Sequence, residues 1–270
     1  MEPLLFNSTI FLSFLLLVVT LVFIVAQLKK DNSIMDIVYG PIFLVTGLAT
    51  YIYTESTSML ALVILAATFI WSTRLGTRIY NKNKDMPEDA RYAAWRTLWS
   101  QKGQWYFLLR SYLQINILQG IIIAIVSLPL ILSLSFGETY SLPFVLAGVL
   151  VFVIGLAIES TADYQLDRFI ARKKLGVETA NLMVTGLFKY SRRPNYFGET
   201  LIWWGLAVMV LPLPYGWLGL LSPLTITYIV TKVTGPMLEN IFIQKYGEEY
   251  RAYMKKTSYF IPLPPRDTTL

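Results

Sequence analysis

The sequence contains no cysteine and no histidine. Without cysteine the chain has no disulfide and no thiol nucleophile. Without either residue it has no thiolate or imidazole metal ligand and no histidine general base. It also lacks an internal repeat and the glycine-rich phosphate loops of Rossmann and P-loop proteins. We therefore predict no metal site, and any chemistry must come from Asp, Glu, Lys, Tyr, Arg or a bound cofactor.

Charge is also scarce, since only 15% of the 270 residues are charged, against roughly 25% in soluble domains. Hydrophobic residues make up 55% of the chain, and its mean hydropathy is +0.52. Several apolar runs approach or exceed the ~20 residues that cross a bilayer. We predict an all-α polytopic membrane protein, one domain over 1–270, with seven transmembrane helices at 8–28, 33–53, 57–80, 108–136, 141–162, 200–213 and 216–236.

The basic residues are distributed unevenly along the chain. All 23 Lys and Arg fall in the loops 81–107 and 163–199, in the tail 237–270, in the turn 29–32, or at helix ends on that same side. The positive-inside rule then places the N-terminus outside and the C-terminus in the cytoplasm. The pI near 9.3 does not indicate nucleic acid, because the charge is spread over juxtamembrane segments and suits anionic lipid headgroups.

Three acids recur every four residues at the end of the fifth predicted helix, namely Glu159, Asp163 and Asp167. This spacing puts them on one helix face, where like charges repel and need basic or hydrogen-bonding partners. A solvated helix end explains Asp167 as well as a site does. Glu159 is the stronger candidate, because an ionisable group at the membrane interface is a functional hypothesis by default.

The segment GLFKYSRRPNYFGE at 186–199 concentrates cations, tyrosines, an Asn and a Glu before the sixth predicted helix. The proline after Arg193 disfavours helix there, so the guanidinium groups of Arg192 and Arg193 are predicted to project from an extended segment. Because the Arg guanidinium can donate two parallel hydrogen bonds to a phosphate, the segment indicates a phosphate-binding site. A basic membrane anchor is the alternative, but it gives no reason for Asn195 and Glu199.

The tail holds a further cluster. Glu239 and Asn240 lie near the end of the seventh predicted helix, and tyrosines follow at 246, 250 and 253. The tyrosine spacing suits a binding site and a belt of interfacial aromatics equally.

Two acids stand out in the first half of the chain. Asp36 lies within the second predicted helix, and Glu55 follows Tyr51 and Tyr53 in a nearly charge-free neighbourhood. A partly desolvated carboxyl group there can donate a proton at neutral pH. A Glu55 that simply sits in water on the outer loop is the alternative.

Several of these residues form a known pattern. Its central motif, G-L-F-x-Y followed by Asn and G-E, is matched by Gly186, Leu187, Phe188, Tyr190, Asn195, Gly198 and Glu199. Glu159 and Asp163 stand where the pattern has Asn, three residues and Asp, and its ending is similar to Glu248, Glu249, Tyr250 and Phe260 to Pro262. On these motifs the chain resembles, over most of its length, the steroid 5α-reductases and their bacterial relatives, membrane enzymes that use NADPH.

The resemblance implies a substrate side in helices 1–80 and a cofactor side in 81–270. Glu55 stands at the Glu of the family's Gln-Glu pair. It thereby inherits the role of the acid that hydrogen-bonds a steroid 3-carbonyl, with Tyr53 beside it. Trp71 replaces the family's tyrosine, and indole can donate a hydrogen bond but cannot act as an acid. Glu239 or Asn240 replaces a family histidine.

The resemblance also implies the contacts of NADPH, whose phosphates suit Arg. Loop 81–96 is expected to help hold the cofactor. The expected contacts are Asn83, Arg91, Arg96, Glu159, Asp163, Arg172, Asn181, Tyr190, Arg192, Arg193, Asn195, Glu199 and Glu239.

The favoured interpretation is an NADPH-dependent reductase of the C4=C5 bond of 3-oxo-Δ4 steroids or a similar lipophilic enone, in a bacterial inner membrane with its cofactor loops facing the cytoplasm. One alternative is an S-adenosylmethionine-dependent membrane methyltransferase of the isoprenylcysteine or phospholipid type. Those enzymes usually carry Arg-His-Pro where this chain has Arg192, Arg193 and Pro194. The other alternative is a non-catalytic sterol-binding membrane protein, which would bind no nucleotide tightly. The expected partners are membrane lipids and the substrate, without nucleic acid.

Overall fold

The computed structural model describes residues 1–84 and 86–266. Its helices are α1 (Glu2–Lys29), α2 (Ile34–Tyr53), α3 (Met59–Asn83), α4 (Ala90–Ser100), α5 (Gln104–Ser111), α6 (Leu118–Val126), α7 (Leu128–Phe136), α8 (Leu142–Lys174), α9 (Pro194–Val210), α10 (Leu221–Tyr228) and α11 (Gly235–Lys256). Short 3₁₀ segments (Gly137–Thr139, Gly186–Lys189, Gly216–Leu220) and π segments (Tyr112–Ile117, Ile229–Thr234) join or continue them.

The prediction of an all-helical membrane protein is confirmed. The described residues contain no strand, and one isolated parallel bridge joins Ser191 to Ser258. Among the described residues, five helices are long and apolar enough to cross a membrane: α1, α2, α3, the continuous stretch Gln104–Val126, and α8. The count of seven spans and the orientation of the termini remain predictions.

The region 108–136 is not one continuous helix, so the prediction of a single span there was wrong. The backbone leaves helical geometry at Ser127 (φ −80°, ψ 0°), and α7 begins at the next residue. Pro129 lies in the first turn of α7, where its missing N–H and its ring are tolerated, whereas both would disrupt a continuous helix.

The last two predicted spans also differ from the observed helices. Instead of beginning at 200, α9 begins at Pro194, a residue suited to a first helical turn. The region predicted as one helix over 216–236 is a succession of 3₁₀, α and π segments. The following α11 extends to Lys256 with a kink at Gly247 (φ 54°, ψ −128°).

The chain divides into two compact units. Unit 1 comprises Met1–Val145 and Val210–Leu221, and unit 2 comprises Leu146–Met209 and the chain from Ser222 onward. In unit 1, α2 packs against both α1 and α3. Trp71 of α3 is only 1% exposed and meets the ring of Phe43 edge-on, with 5.7 Å between ring centroids.

In unit 2, α8 and α9 approach each other through small residues. A Cβ added at Gly198 would lie 2.5 Å from the backbone nitrogen of Glu159, and one added at Gly205 would lie 2.6 Å from the carbonyl oxygen of Gly148. These distances are shorter than any normal contact, so glycine is required for the observed packing. Glu159 and Asp163 are 3% and 4% exposed on this packed part of α8.

Candidate functional site

Arg192 of unit 2 is buried, and all three of its guanidinium nitrogens are bound within the protein. Nε and Nη2 donate to the two carboxylate oxygens of Glu239 at 2.8 and 3.0 Å. Nη1 donates to the carbonyl oxygens of Met254 (3.1 Å) and Thr257 (2.5 Å). Such a bidentate pair fixes both partners. Arg192 therefore holds α11 and the tail beside the segment before α9.

Glu239 is fully engaged in the same network. Besides the Arg192 fork, it accepts a hydrogen bond from the Tyr250 hydroxyl at 3.0 Å. Burial raises the pKa of Tyr250 to about 12, and the charge of Arg193 opposes that rise. Arg192 and Glu239, both expected from the resemblance to contact the cofactor, are thus bound to each other.

Arg193 has a different environment from its neighbour. Its Nε and Nη2 atoms are buried and make no hydrogen bond to any described residue. Its guanidinium lies over the ring of Phe242, 4.9 Å from the centroid, and 5.9 Å from that of Tyr196. Within the described ranges Arg193 makes no ion pair with a carboxylate. Its positive charge is therefore available to an anion.

The residues after Arg193 begin α9 and reinforce the positive potential. Pro194 is the first residue of α9, and the first N–H groups of a helix point outward and favour anions. The half-buried side chain of Asn195 makes no hydrogen bond to a described residue. The guanidinium fork and this helix end together suit a phosphate oxygen.

The segment that carries these residues is held by the chain on both sides. Gly186 has φ +60°, and an added Cβ would lie 2.4 Å from the Gln165 amide oxygen, so only glycine fits. That oxygen accepts the Leu187 N–H at 2.9 Å. On the other side, the exposed Tyr190 accepts the Leu263 N–H through its carbonyl oxygen at 3.0 Å. The expected contact Tyr190 thus pairs with the tail through its backbone.

Two more expected contacts are Arg172 in the last turn of α8 and Asn181 in the loop that follows, and both are engaged locally. The Arg172 guanidinium lies 4.0 Å from a Glu178 carboxylate oxygen, with half of its side chain exposed. Asn181 donates to Glu249 at 2.9 Å. These contacts fasten the loop that follows α8.

Unit 1 does not bring the three expected catalytic residues together. Glu55 is exposed in the loop between α2 and α3, and Tyr53 is 62% exposed with its ring edge-on to Phe14 at 5.8 Å. Trp71 is buried halfway along α3. Asn83 ends that 25-residue helix, about 37 Å from its start at ~1.5 Å per residue. Glu55 and loop 81–96 therefore lie at opposite ends of α3.

The arginines of that loop are paired with acids in the structure, and their contact with phosphate stays a prediction. Nε and Nη2 of Arg96 each donate to one carboxylate oxygen of Glu88, both at 2.8 Å. Arg91 donates to Asp89 at 2.9 Å and to Asp36 at 3.1 Å. Burial alone would raise the pKa of Glu88, but the hydrogen bonds from Arg96 and from the backbone of Asn32 bring it below its usual value.

Sequence reasoning missed the partner of Asp36. The buried Tyr92 hydroxyl donates to Asp36 at 2.6 Å and accepts from Gln119 at 3.4 Å. Asp36 and Tyr92 are 56 residues apart, so no local pattern predicts their contact. The pair fastens α4 to the start of α2.

Comparison with known proteins agrees with this helical membrane architecture. The model of the family described as "Protein of unknown function (DUF1295)" matches residues 22–257. A steroid 5-alpha-reductase DET2 from Gossypium hirsutum is 39% identical over 74 residues, which cover 27% of this chain and 26% of that protein. The match thus spans about a quarter of the relative's length.

No solved structure matches the chain. The family match and the partial match to DET2 together support a reductase-like family of integral membrane proteins. Because the family model covers most of its length, the chain belongs to the DUF1295 family, a family similar to the steroid 5α-reductases.

Proposed function

We propose that the protein is an NADPH-dependent reductase of a carbon–carbon double bond conjugated to a ketone, acting on a steroid or a similar lipophilic enone. The partial similarity to a steroid 5-alpha-reductase supports the reaction class. The apolar helices support a substrate dissolved in the membrane. The cofactor is supported by the chemistry of the Arg193 site in unit 2.

The observation that carries the proposal is the pair of buried Arg193 donors without a partner. A buried guanidinium that lacks a counter-charge is costly, since an unsatisfied charged donor loses its hydration without replacement. A phosphate group removes this cost by accepting both donors in one fork. The donors and the adjacent helix end therefore fit the phosphates of a dinucleotide.

Each part of the chain has a distinct role in this proposal. Bound NADPH supplies the hydride. Arg193 and Asn195 bind its phosphate region, while the Arg192–Glu239 pair positions that segment. Glu55 keeps the role that the resemblance gives it, donating a hydrogen bond to the substrate's carbonyl oxygen as negative charge develops there.

The cofactor is tested by thermal unfolding of the purified protein with NADPH, NADH or S-adenosylmethionine. Because a ligand of the folded state raises the unfolding temperature, we expect NADPH to raise it most. Arg193→Ala should weaken NADPH binding by about 1–3 kcal/mol, about 5- to 150-fold. Arg251→Ala is the matched control, since Arg251 is half exposed and forms an ion pair with the neighbouring Glu248.

Three results would overturn the proposal. A larger shift with S-adenosylmethionine would favour the methyltransferase alternative. The carboxylate of S-adenosylmethionine would also suit the Arg193 guanidinium. Unchanged NADPH affinity in a folded Arg193→Ala variant would leave the 186–199 segment as a membrane anchor. Absence of binding by all three ligands would favour the non-catalytic sterol-binding alternative.

A further inference from the structure

Unit 1 contains a cavity of about 460 Å³ in which the proposed function uses Glu55 and no other lining residue. It lies between the first turns of α1, the loop from α2 to α3, and the end of α7. Its 14 lining residues include the carboxylates of Glu55 and Glu138 but no Lys or Arg. In the described part of the chain, neither carboxylate forms an ion pair.

A buried acceptor lines the same cavity. Asn7 is 6% exposed, and its Nδ2 donates to the Pro3 carbonyl oxygen at 2.9 Å. Its Oδ1 atom is buried and accepts no hydrogen bond from the residues that the structure describes. Buried acceptors are almost always satisfied in native proteins. The Asn7 amide oxygen therefore points to a hydrogen-bond donor that the chain itself does not supply.

The walls of the cavity are held in place by the protein. One Glu138 oxygen accepts the Thr57 hydroxyl at 2.6 Å. The Ser58 hydroxyl caps α3 by accepting the Ala61 N–H at 3.0 Å. A Cβ added at Gly137 would lie 2.2 Å from that hydroxyl oxygen. The 3₁₀ segment Gly137–Thr139 thus packs tightly on the start of α3, and the cavity exists before any ligand binds.

We infer that this cavity binds an organic cation, namely a protonated amine. The Glu138 carboxylate and the Asn7 amide oxygen are acceptors, so they favour a ligand that donates several hydrogen bonds and carries positive charge. A bare metal ion fits less well, because no group of three acidic residues suited to a metal occurs among the described residues. The volume of the cavity suits a small organic molecule rather than an ion.

The test measures direct binding without NADPH, so it does not depend on the proposed function. The full-length protein in lipid nanodiscs is titrated calorimetrically with n-butylamine, n-butanol, butyrate and Ca²⁺, and heats from empty nanodiscs are subtracted. We expect n-butylamine to bind at least about tenfold more tightly than n-butanol, because a charged hydrogen bond is stronger than a neutral one. Butyrate should not bind.

Variants locate the site. Glu138→Gln and Asn7→Ala should each raise the n-butylamine Kd by about tenfold, and the exposed Glu2→Gln should leave it within about twofold. Glu55 stays unchanged, so this inference and the catalytic role of Glu55 can fail separately. Wild-type amine affinity in both site variants would overturn the inference. So would butyrate or n-butanol binding as tightly as the amine, or Ca²⁺ binding in its place.

Discussion

Glu55 has a left-handed backbone conformation (φ 48°), which is uncommon outside glycine. If Glu55 polarises the substrate carbonyl, Glu55→Gln should reduce turnover of progesterone or testosterone by about 10²–10³-fold, because an amide donates a weaker hydrogen bond to the developing oxyanion than a carboxylic acid does and cannot give up its proton. NADPH affinity should stay unchanged, since the interaction strengthens only in the transition state. The assay follows loss of absorbance from saturating NADPH, with Glu2→Gln as control. Wild-type turnover would remove Glu55 from the chemistry.

The adjacent residues Arg192 and Arg193 show how burial alone does not define a site. Both guanidiniums lie in one aromatic and polar cluster, yet Glu239 neutralises the first, and the second keeps two unpartnered donors. A buried ion pair that is already formed has no charge left for a ligand. The cation without a counter-charge is therefore the informative one, and it supports the proposed phosphate site.

At the scale of elements, the contact between α8 and α9 depends on Gly198. A Cβ there would meet the Glu159 nitrogen at 2.5 Å and the Gly155 carbonyl oxygen at 2.8 Å. Because backbone atoms cannot move aside as a flexible side chain does, Gly198→Ala should destabilise the fold by about 1–3 kcal/mol. Thermal unfolding in detergent measures the effect, with the exposed Thr161→Ala on α8 as control. An unchanged unfolding temperature would show that the two helices can separate without cost.

At the scale of the whole molecule, the proposed orientation follows from the basic loops. The absence of cysteine permits single-cysteine labelling without background. We expect a membrane-impermeant maleimide to label Tyr140→Cys in intact cells, and to label Ser100→Cys only after the membrane is opened. Both positions are exposed. The reverse pattern would invert the orientation and place the basic loops outside.

The sequence by itself determined the class of the molecule. Hydropathy and charge are summed over neighbouring residues, so apolar runs such as 8–28 predict membrane helices without knowledge of any contact. The motif at 186–199 likewise identified the segment that carries Arg193. Breaks such as the one at Ser127 escaped prediction because a long apolar run masks a local change of backbone angle.

Only the tertiary structure decided which charges are available. Arg192 pairs with Glu239 across 47 residues of sequence, and Tyr92 pairs with Asp36 across 56. Arg91 and Arg96 were expected to bind phosphate, but the fold places them against Asp36, Asp89 and Glu88. Because an ion pair depends on distance in space, residue type and local spacing cannot show whether an arginine is already neutralised.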